Sequence, residues 1–160
     1  MKSKKEGKIL VVDDDKEFAQ TLAEHASDIG YSVKVAHDGH EGLEMFRSDA
    51  FHVVLTDLKM PGMDGLELLH EIKRLEEKAV VVMITGYGSI EAAVKAIKMG
   101  AYDFITKPAR LGEIEVVIDR ALEKRHLVKQ LDFFRGLTLA VLISIPVWLI
   151  LGIILAWKIF

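Results

Sequence analysis

Carboxylate, hydroxyl and ammonium side chains follow four short apolar runs in this 160-residue chain. They are Asp13, Asp14 and Asp15 after ILVV, Asp57 after VVLT, Thr85 at the end of VVVMIT, and Lys107 after DFIT. A single Asp after a strand is usually a turn or helix-capping residue, and a single Lys is usually a solvated charge. Polar side chains at the ends of several runs instead indicate one shared site.

Such a set of side chains has the chemistry of phosphoryl transfer. Carboxylates brought close together repel one another unless a cation joins them. Oxygen ligands without His or Cys favour a hard ion, and Mg²⁺ is the first candidate. Mg²⁺ and an ammonium would neutralise the phosphoryl oxygens, a hydroxyl would donate a hydrogen bond, and one carboxylate would attack.

The elements that must position these residues alternate between two patterns. Short runs rich in β-branched residues predict strands at Ile9–Val12, Val33–Ala36, Val53–Thr56, Val80–Thr85 and Phe104–Thr106. Between them, apolar residues recur at helical spacing, such as Leu66, Leu69, Ile72 and Leu75, then Ile90, Ala93, Val94 and Ile97. This alternation predicts an α/β fold with a five-stranded parallel sheet, doubly wound, with helices on both faces. Ligands bind such sheets at the carboxyl ends of the strands, where the polar residues lie.

Four segments of the chain resemble a known family. VVDDD, LTDLKMPGMDG, MITGYGS and DFITKP are similar, in order and spacing, to motifs of the receiver domain of bacterial two-component response regulators. The resemblance covers roughly Lys8 to Arg120, and DLKMPGMDG is its most specific part. It implies a flavodoxin-like receiver at residues 1–120 that takes a phosphoryl group from a histidine kinase.

The resemblance also implies a phosphoacceptor and a Mg²⁺ site. Asp57 would accept the phosphoryl group. Asp14 would bind Mg²⁺ directly and Asp13 chiefly through water, while Asp57 and the backbone carbonyl of Lys59 would complete the protein ligands. Mg²⁺ is therefore the expected cofactor.

A switch is implied in the same way. Thr85 would hydrogen-bond the phosphoryl group and Lys107 would pair with it. As Thr85 moves toward the phosphoryl group, the aromatic Phe104 would pack into the space that it leaves. The face formed by the fourth helix, fifth strand and fifth helix would be the output surface. The Lys107–Pro108 bond is expected to be cis, and Ala109 stands where the family usually has Phe.

Two positions that vary in the family are expected to set the lifetime of the phosphoryl group. These are Lys59, two residues after Asp57, and Tyr87, two residues after Thr85. Bulky side chains there can obstruct in-line attack by water, which predicts a long-lived phosphorylated state. Asp15 and Asp64 are expected to cap helices rather than to bind metal.

A different enzyme class also uses an Asp nucleophile with Mg²⁺. Phosphatases of the haloacid-dehalogenase type carry D-x-D after the first strand, a pattern that Asp13 and Asp15 satisfy. That motif requires Thr or Val two residues after its second Asp, whereas this chain has Glu17. The chain also offers no room for a cap domain, so the phosphatase remains the weaker alternative.

The stretch Leu137–Trp157 contains no charged side chain. As a helix its roughly 21 residues would be about 31 Å long at ~1.5 Å per residue, which matches the hydrocarbon core of a bilayer. The sequence therefore predicts one transmembrane helix at residues 137–157. Residues 121–136, without Pro and with one Gly at their end, are expected to continue the fifth helix as a linker.

The charges that flank this stretch predict its orientation. Lys124, Arg125, Lys129 and Arg135 precede it, and only Lys158 follows it. The positive-inside rule then places the receiver in the cytoplasm and the helix in the bacterial inner membrane, as a single pass. Phosphorylation by a kinase requires the same orientation.

The expected function is that of a membrane-anchored response regulator that signals through protein contacts. No effector follows the receiver in this sequence, so a membrane or cytoplasmic protein, or a second copy forming a homodimer, is the expected partner. A phosphate sink or shuttle for a membrane kinase stays open as an alternative. The net charge of -3 gives no indication of a nucleic-acid-binding surface, so no nucleic-acid partner is expected, and we do not expect a turnover enzyme.

Overall fold

A computed structural model describes residues 7–86 and 88–125, together with residues 138, 142 and 144. The chain divides into two units, Met1–Arg125 and His126–Phe160. The three described residues of the second unit are helical. The fold and the site described below belong to the first unit.

The first unit alternates strands and helices, as the sequence predicts. In chain order the elements are β1 (Lys8–Val12), α1 (Lys16–Asp28), β2 (Ser32–Ala36), α2 (Gly39–Ser48), β3 (Val53–Thr56), α3 (Gly65–Leu75), β4 (Val81–Thr85), α4 (Ile90–Lys98), β5 (Asp103–Thr106) and α5 (residues 111–125). All strand pairs are parallel, and the strand order is β2-β1-β3-β4-β5. The predicted five-stranded, doubly wound sheet is confirmed.

The sheet separates two apolar cores because successive side chains of a strand point to opposite faces. In β1, Ile9 and Val11 join one core with α1 and α5, while Leu10 and Val12 join the other with α2, α3 and α4. The central strands β3 and β4 are buried along their whole length. Strands covered on both faces read as continuous apolar runs, which is why the sequence marked them clearly.

Two apolar faces differ from the simple helical pattern. In α4, Ile90, Val94 and Ile97 are 81%, 47% and 49% exposed, whereas the small Ala96 is fully buried. Helical spacing identifies an apolar face but does not show what covers it. In this fold α4 packs on the sheet through the face that carries the small Ala96. Leu75, the last residue of α3, is also exposed.

The fifth helix belongs to the core beyond residue 120. Ala121 and Leu122 are buried in the same core as α1. The guanidinium of Arg125 donates to the backbone carbonyl oxygens of Phe51 at 2.8 Å and His52 at 3.1 Å, and pairs with Glu76 at 3.1 Å. These contacts explain why the compact unit extends to Arg125 and not to residue 120.

The predicted transmembrane helix at residues 137–157 lies outside the described residues, except for positions 138, 142 and 144. Of the predicted linker at 121–136, residues 121–125 continue the fifth helix as expected, and residues 126–136 lie outside the described residues. In the described part of the chain, no helix combines the length and the apolar character needed to span a bilayer.

Candidate functional site

Two neighbouring strands bring buried carboxylates to the same edge of the sheet. Val12 of β1 is in register with Thr56 of β3, so Asp13 and Asp57 both follow the ends of adjacent strands. The backbone amide of Asp57 donates to the carbonyl oxygen of Val12 at 2.9 Å, which extends the ladder by one residue. Asp13 is 3% exposed and Asp57 is 5% exposed.

The ammonium of Lys107, the residue after β5, lies close to both carboxylates. The backbone amide of Lys107 donates to the carbonyl oxygen of Thr85 at 2.8 Å, which fixes the chain just after β5 beside β4. The Lys107 Nζ then lies 2.6 Å from Asp13 Oδ2 and 3.7 Å from Asp57 Oδ1. Residues far apart in the chain therefore form one charged cluster.

A cavity of about 870 Å³ opens over this cluster. Its charged lining residues are Asp13, Asp14, Asp15, Asp57, Lys59, Asp64 and Lys107. Asp14 and Lys59 are exposed, so the buried pair of carboxylates faces a solvent-accessible rim.

The segment after β3 holds the Asp57 carboxylate and backbone in place. The Lys59 amide donates to Asp57 Oδ2 at 2.8 Å, and the Thr56 hydroxyl donates to the Asp57 carbonyl oxygen at 3.0 Å. A Cβ at Gly65 would lie 2.0 Å from that same carbonyl oxygen, so this position has no space for a side chain. Glycine is required here for a close backbone approach.

Two further aspartates cap helices, as the sequence predicts. Asp15 accepts from the amides of Glu17 and Phe18, both at 3.1 Å, at the start of α1. Asp64 forms a capping box with Glu67 at the start of α3. The Asp15 carboxylate therefore has the capping role that the sequence predicts for it.

Comparison with known proteins agrees with this geometry. The profile of the response regulator receiver domain matches residues 9–119. The chain belongs to the response regulator receiver family. It is the receiver domain of a two-component response regulator, a class that accepts a phosphoryl group on Asp from histidine kinases.

Similar proteins include full-length regulators. The nitrogen assimilation regulatory protein NtrX of Azorhizobium caulinodans is 40% identical over 132 residues, which cover 81% of this chain and 29% of that protein. The transcriptional regulatory protein ZraR of Escherichia coli O157:H7 is 38% identical over 120 residues, covering 75% of this chain and 27% of that protein. This receiver chain therefore spans less than a third of the length of these curated relatives.

Solved structures share the receiver fold. A receiver domain protein from Clostridium thermocellum superposes with a TM-score of 0.73 at 32% identity, covering 76% of this chain and 98% of that chain. NtrX from Brucella abortus superposes with a TM-score of 0.76 at 40% identity, covering 81% of this chain and 30% of that chain.

The carboxyl of Asp13 is almost completely buried. Burial raises its pKa above the ordinary value of 3.8, and repulsion from Asp57 acts in the same direction. Hydrogen bonds from Lys107 and from the Asp15 amide lower the pKa and offset part of this effect. Burial thus outweighs these partners, and a bound cation would further favour the charged form of Asp13.

The oxygen ligands of this receiver fit Mg²⁺. Among the described residues, no group of three or more His, Cys, Asp or Glu side chains is arranged to hold a metal ion by itself. Mg²⁺ does not require such a group, because it keeps several water ligands and takes one or two protein carboxylates. Asp13, Asp14 and Asp57 line one cavity and supply only oxygen, the donor type that this ion prefers.

The predicted switch residues lie beside the site rather than in it. Thr85 is completely buried and is absent from the lining of the cavity. Phe104 is partly buried, pairs in register with Met83 and packs against the core that contains α4. A Cβ at Gly88 would lie 2.4 Å from the Thr106 Cγ2 and 3.3 Å from the Phe104 ring, so the loop after β4 passes closely over β5.

Other predictions for individual residues have separate outcomes. The cis Lys107–Pro108 bond is confirmed. Ala109 packs against the apolar core with α1 and α5. Tyr87 lies outside the described residues, so its predicted effect on phosphoryl lifetime stays a prediction.

Sequence reasoning missed one neighbour of the cluster. The Phe18 ring lies under Lys107, with its centroid 3.9 Å from Nζ. The sequence places Phe18 three residues after the capping Asp15, in the first turn of α1 and therefore near the aspartates. Nothing in the sequence indicates that its ring contacts Lys107.

Proposed function

We propose that this receiver is phosphorylated on Asp57, with Mg²⁺ held by Asp14, Asp57 and the Lys59 carbonyl, and with Asp13 acting through water. The observation that carries the proposal is the buried Asp13–Asp57 pair at adjacent strand ends, with the Lys107 Nζ 2.6 Å from Asp13 and 3.7 Å from Asp57. The neighbouring residues hold Asp57 at two points: the Thr56 hydroxyl bonds to its backbone carbonyl oxygen, and the Lys59 amide bonds to its carboxylate.

The proposed reaction is an in-line transfer from a phosphohistidine. A carboxylate oxygen of Asp57 attacks phosphorus, the bond from phosphorus to the histidine nitrogen breaks, and the imidazole leaves with the bonding electrons. When bound, Mg²⁺ supplies positive charge for the phosphoryl oxygens. The ammonium of Lys107 supplies a second charge, and it is already placed within 3.7 Å of Asp57.

Phosphorylation is proposed to act through Thr85 and Phe104. The Thr85 hydroxyl moves from its buried position toward the phosphoryl group, and Phe104 packs into the space it leaves. The exposed side chains of Ile90, Val94 and Ile97 on α4 give this change an apolar surface that a protein partner can contact. That partner is a membrane or cytoplasmic protein, or a second copy in a homodimer.

We propose that the stretch Leu137–Trp157 anchors the receiver in the bacterial inner membrane, with the receiver in the cytoplasm. Its support is the uncharged sequence and the basic residues before it. Two of the four basic residues have partners within the first unit: Arg125 bonds to the Phe51 carbonyl oxygen, and the Lys124 Nζ lies 4.9 Å from the Tyr102 ring centroid. The predicted orientation therefore rests mainly on the other two, Lys129 and Arg135.

A second candidate is that the receiver regulates a DNA-binding effector. The observation that favours it is the similarity to the transcriptional regulatory protein ZraR. This chain matches 27% of that protein, so most of ZraR lies outside the receiver. Under this alternative, output would pass to a transcriptional effector rather than to a membrane partner. A phosphate sink or shuttle would differ from both, since phosphorylation would then change no partner affinity.

The central test uses the full chain in detergent micelles, incubated with acetyl phosphate and Mg²⁺. We expect intact-mass spectrometry to show one added phosphoryl group in the wild type and in Asp28→Asn, whose carboxyl lies at the far end of α1. Asp57→Asn should take none, and removal of Mg²⁺ with EDTA should abolish the reaction. A wild-type chain that takes no phosphoryl group, or an Asp57→Asn chain that does, would contradict the proposal.

A further inference from the structure

Three groups surround the ammonium of Lys107. The Nζ lies 2.6 Å from Asp13 Oδ2, 3.7 Å from Asp57 Oδ1 and 3.9 Å from the centroid of the Phe18 ring. The Lys107 side chain is 19% exposed, so these contacts form in a largely desolvated place. An ammonium over an aromatic face is attracted by the ring quadrupole, and this attraction grows when water is excluded.

The turn that carries Asp13 also fixes the Phe18 ring. The Asp15 amide donates to Asp13 Oδ1 at 3.0 Å, and the Phe18 amide donates to Asp15 Oδ1 at 3.1 Å. The ring itself is partly buried and packs against the core with α1 and α5. Asp13 and Phe18 are thus joined through Asp15, and both approach Lys107 from the same side of the sheet edge.

We propose that Phe18 is a positioning residue for phosphoryl transfer, whose ring holds the Lys107 ammonium beside Asp57. The inference rests on the proposed function, in which Lys107 neutralises the phosphoryl group. It adds a partner of a different kind: the ring carries no formal charge and offers no oxygen. Mg²⁺ therefore attracts Asp13 and Asp57 but leaves the contact between Phe18 and Lys107 in place.

The difference between these partners has a consequence for the reaction. A cation near Asp13 and Asp57 reduces the pull of both carboxylates on the ammonium. Without the aromatic ring, the flexible Lys107 side chain would then be free to turn toward solvent. With it, the ammonium stays within reach of the developing phosphoryl charge, where fixed charges lower the barrier.

The expected effect is on the rate of transfer. Phe18→Leu keeps an apolar side chain but removes the ring, and should slow phosphorylation by acetyl phosphate about three- to tenfold. Phe18→Tyr keeps an aromatic face and should stay within about twofold of the wild type. Acetyl phosphate is the donor because it replaces the kinase, so a change in kinase binding cannot imitate the effect.

The decisive experiment is a double-mutant cycle with Lys107→Ala, measured on the full chain. If the ring acts through the ammonium, Phe18→Leu should slow the wild-type background but have no further effect on Lys107→Ala. Equal slowing in both backgrounds would show a general packing role and would overturn the inference. Phe46→Leu, at a buried phenylalanine of α2, is the matched control and should not slow the reaction beyond twofold.

A second measurement covers the case in which Phe18→Leu lowers stability. Replacing Phe18 with fluorinated phenylalanines withdraws charge from the ring face while nearly keeping its shape, so the rate should fall stepwise with the number of fluorines. A flat series would overturn the inference. A wild type that is phosphorylated while Phe18→Leu keeps the full rate would overturn this inference alone, whereas an unphosphorylated wild type would overturn the proposed function as well.

Discussion

Asp13 places a carboxylate in a nearly closed environment at the end of β1, with 3% of the residue exposed. Its raised pKa means that the folded state binds this proton more tightly than the unfolded chain does. The proton therefore stabilises the fold below the ordinary pKa of 3.8, and that contribution is lost as the pH rises through the raised pKa. At neutral pH, ionised Asp13 therefore lowers the stability of the folded state relative to a neutral side chain at this position.

Asp13→Asn should therefore raise the melting temperature by a few degrees at neutral pH in Mg²⁺-free buffer. The amide keeps the shape and removes a poorly solvated charge. The gain should shrink as the pH falls through the raised pKa of Asp13, because the carboxyl then also becomes neutral. Thermal unfolding followed by circular dichroism measures it, and Asp14→Asn, at the exposed neighbour, should change the melting temperature less. A lower melting temperature for Asp13→Asn would contradict this account.

We predict that Lys59 and Tyr87 affect the lifetime of the phosphoryl group rather than the stability of the fold. Lys59 is exposed and lines the cavity beside Asp57, where its long side chain can obstruct water. We predict that Lys59→Asn combined with Tyr87→Ala speeds loss of the phosphoryl group several-fold, because in-line attack needs an open path.

The phosphoryl lifetime can be followed by the decay of the phosphorylated mass after the donor is removed. Lys78→Asn, at an exposed lysine before β4, should leave the lifetime unchanged. An unchanged or longer lifetime in the double variant would show that these positions do not shield the site.

At the scale of elements, the connection between β3 and α3 sets the position of the phosphoacceptor. The Gly65 amide donates to the Leu58 carbonyl oxygen at 2.9 Å, and Gly65 itself passes against the Asp57 backbone. The capping box of Asp64 and Glu67 starts α3 at the same point. One short segment therefore ends a strand, orients the Asp57 carboxylate and begins a helix.

Gly65→Ala should damage both folding and phosphorylation. The added Cβ would lie 2.0 Å from the Asp57 carbonyl oxygen, so the backbone at Asp57 must move. We expect a loss of about 1–3 kcal/mol in the free energy of unfolding, as for other overpacked sites, and a slower reaction with acetyl phosphate. Urea denaturation and the mass assay measure the two effects.

Gly112 provides the control for this glycine. No heavy atom lies within 4 Å of a Cβ built there, and the residue is helical. Gly112→Ala should be neutral or stabilise by up to about 1 kcal/mol through helix propensity. If both variants behaved alike, the close approach at Gly65 would not be what limits the site.

At the scale of the whole molecule, the site lies at the carboxyl ends of the strands, and the end of the first unit lies at their amino ends. Asp57 follows the carboxyl end of β3, whereas Arg125 binds the carbonyl oxygens of Phe51 and His52, just before that strand begins. Arg125, the last residue of the first unit, is therefore held at the ends of the strands away from the phosphoacceptor.

The anchor proposal predicts a separation of location from chemistry. The full chain, expressed in bacteria, should stay with the membrane pellet after an alkaline carbonate wash. A chain that ends at Arg125 should appear in the supernatant and accept a phosphoryl group from acetyl phosphate at a similar rate, since the site lies within Met1–Arg125. Release of the full chain by carbonate would contradict membrane insertion.

A shorter chain tests where the receiver ends. A truncation after Arg120 loses the buried Ala121 and Leu122 and the Arg125 contacts. Because truncating a buried leucine to alanine typically costs about 2–5 kcal/mol, this chain should unfold at a clearly lower temperature than one ending at Arg125. Equal melting temperatures would place the end of the stable unit at residue 120.

Much of the fold was predictable because its signals are local. Buried strands with both faces covered read as apolar runs, helix caps need an Asp at a set position, and parallel sheets place polar loops at one edge. The predicted ends of β1 at Val12 and of β3 at Thr56, and the caps at Asp15 and Asp64, follow from these rules. The members of the cluster were predictable for the same reason, since each follows its own strand.

The contacts between those members were not predictable in this way. The order β2-β1-β3-β4-β5 alone brings Lys107 to Asp13, which is 94 residues away in the chain. The ring of Phe18 under the ammonium, the outward face of α4 and the Arg125 contacts depend likewise on which surfaces meet. Periodicity shows that a helix has an apolar face, but only packing decides what covers it, because the same apolar face can be buried by many different partners.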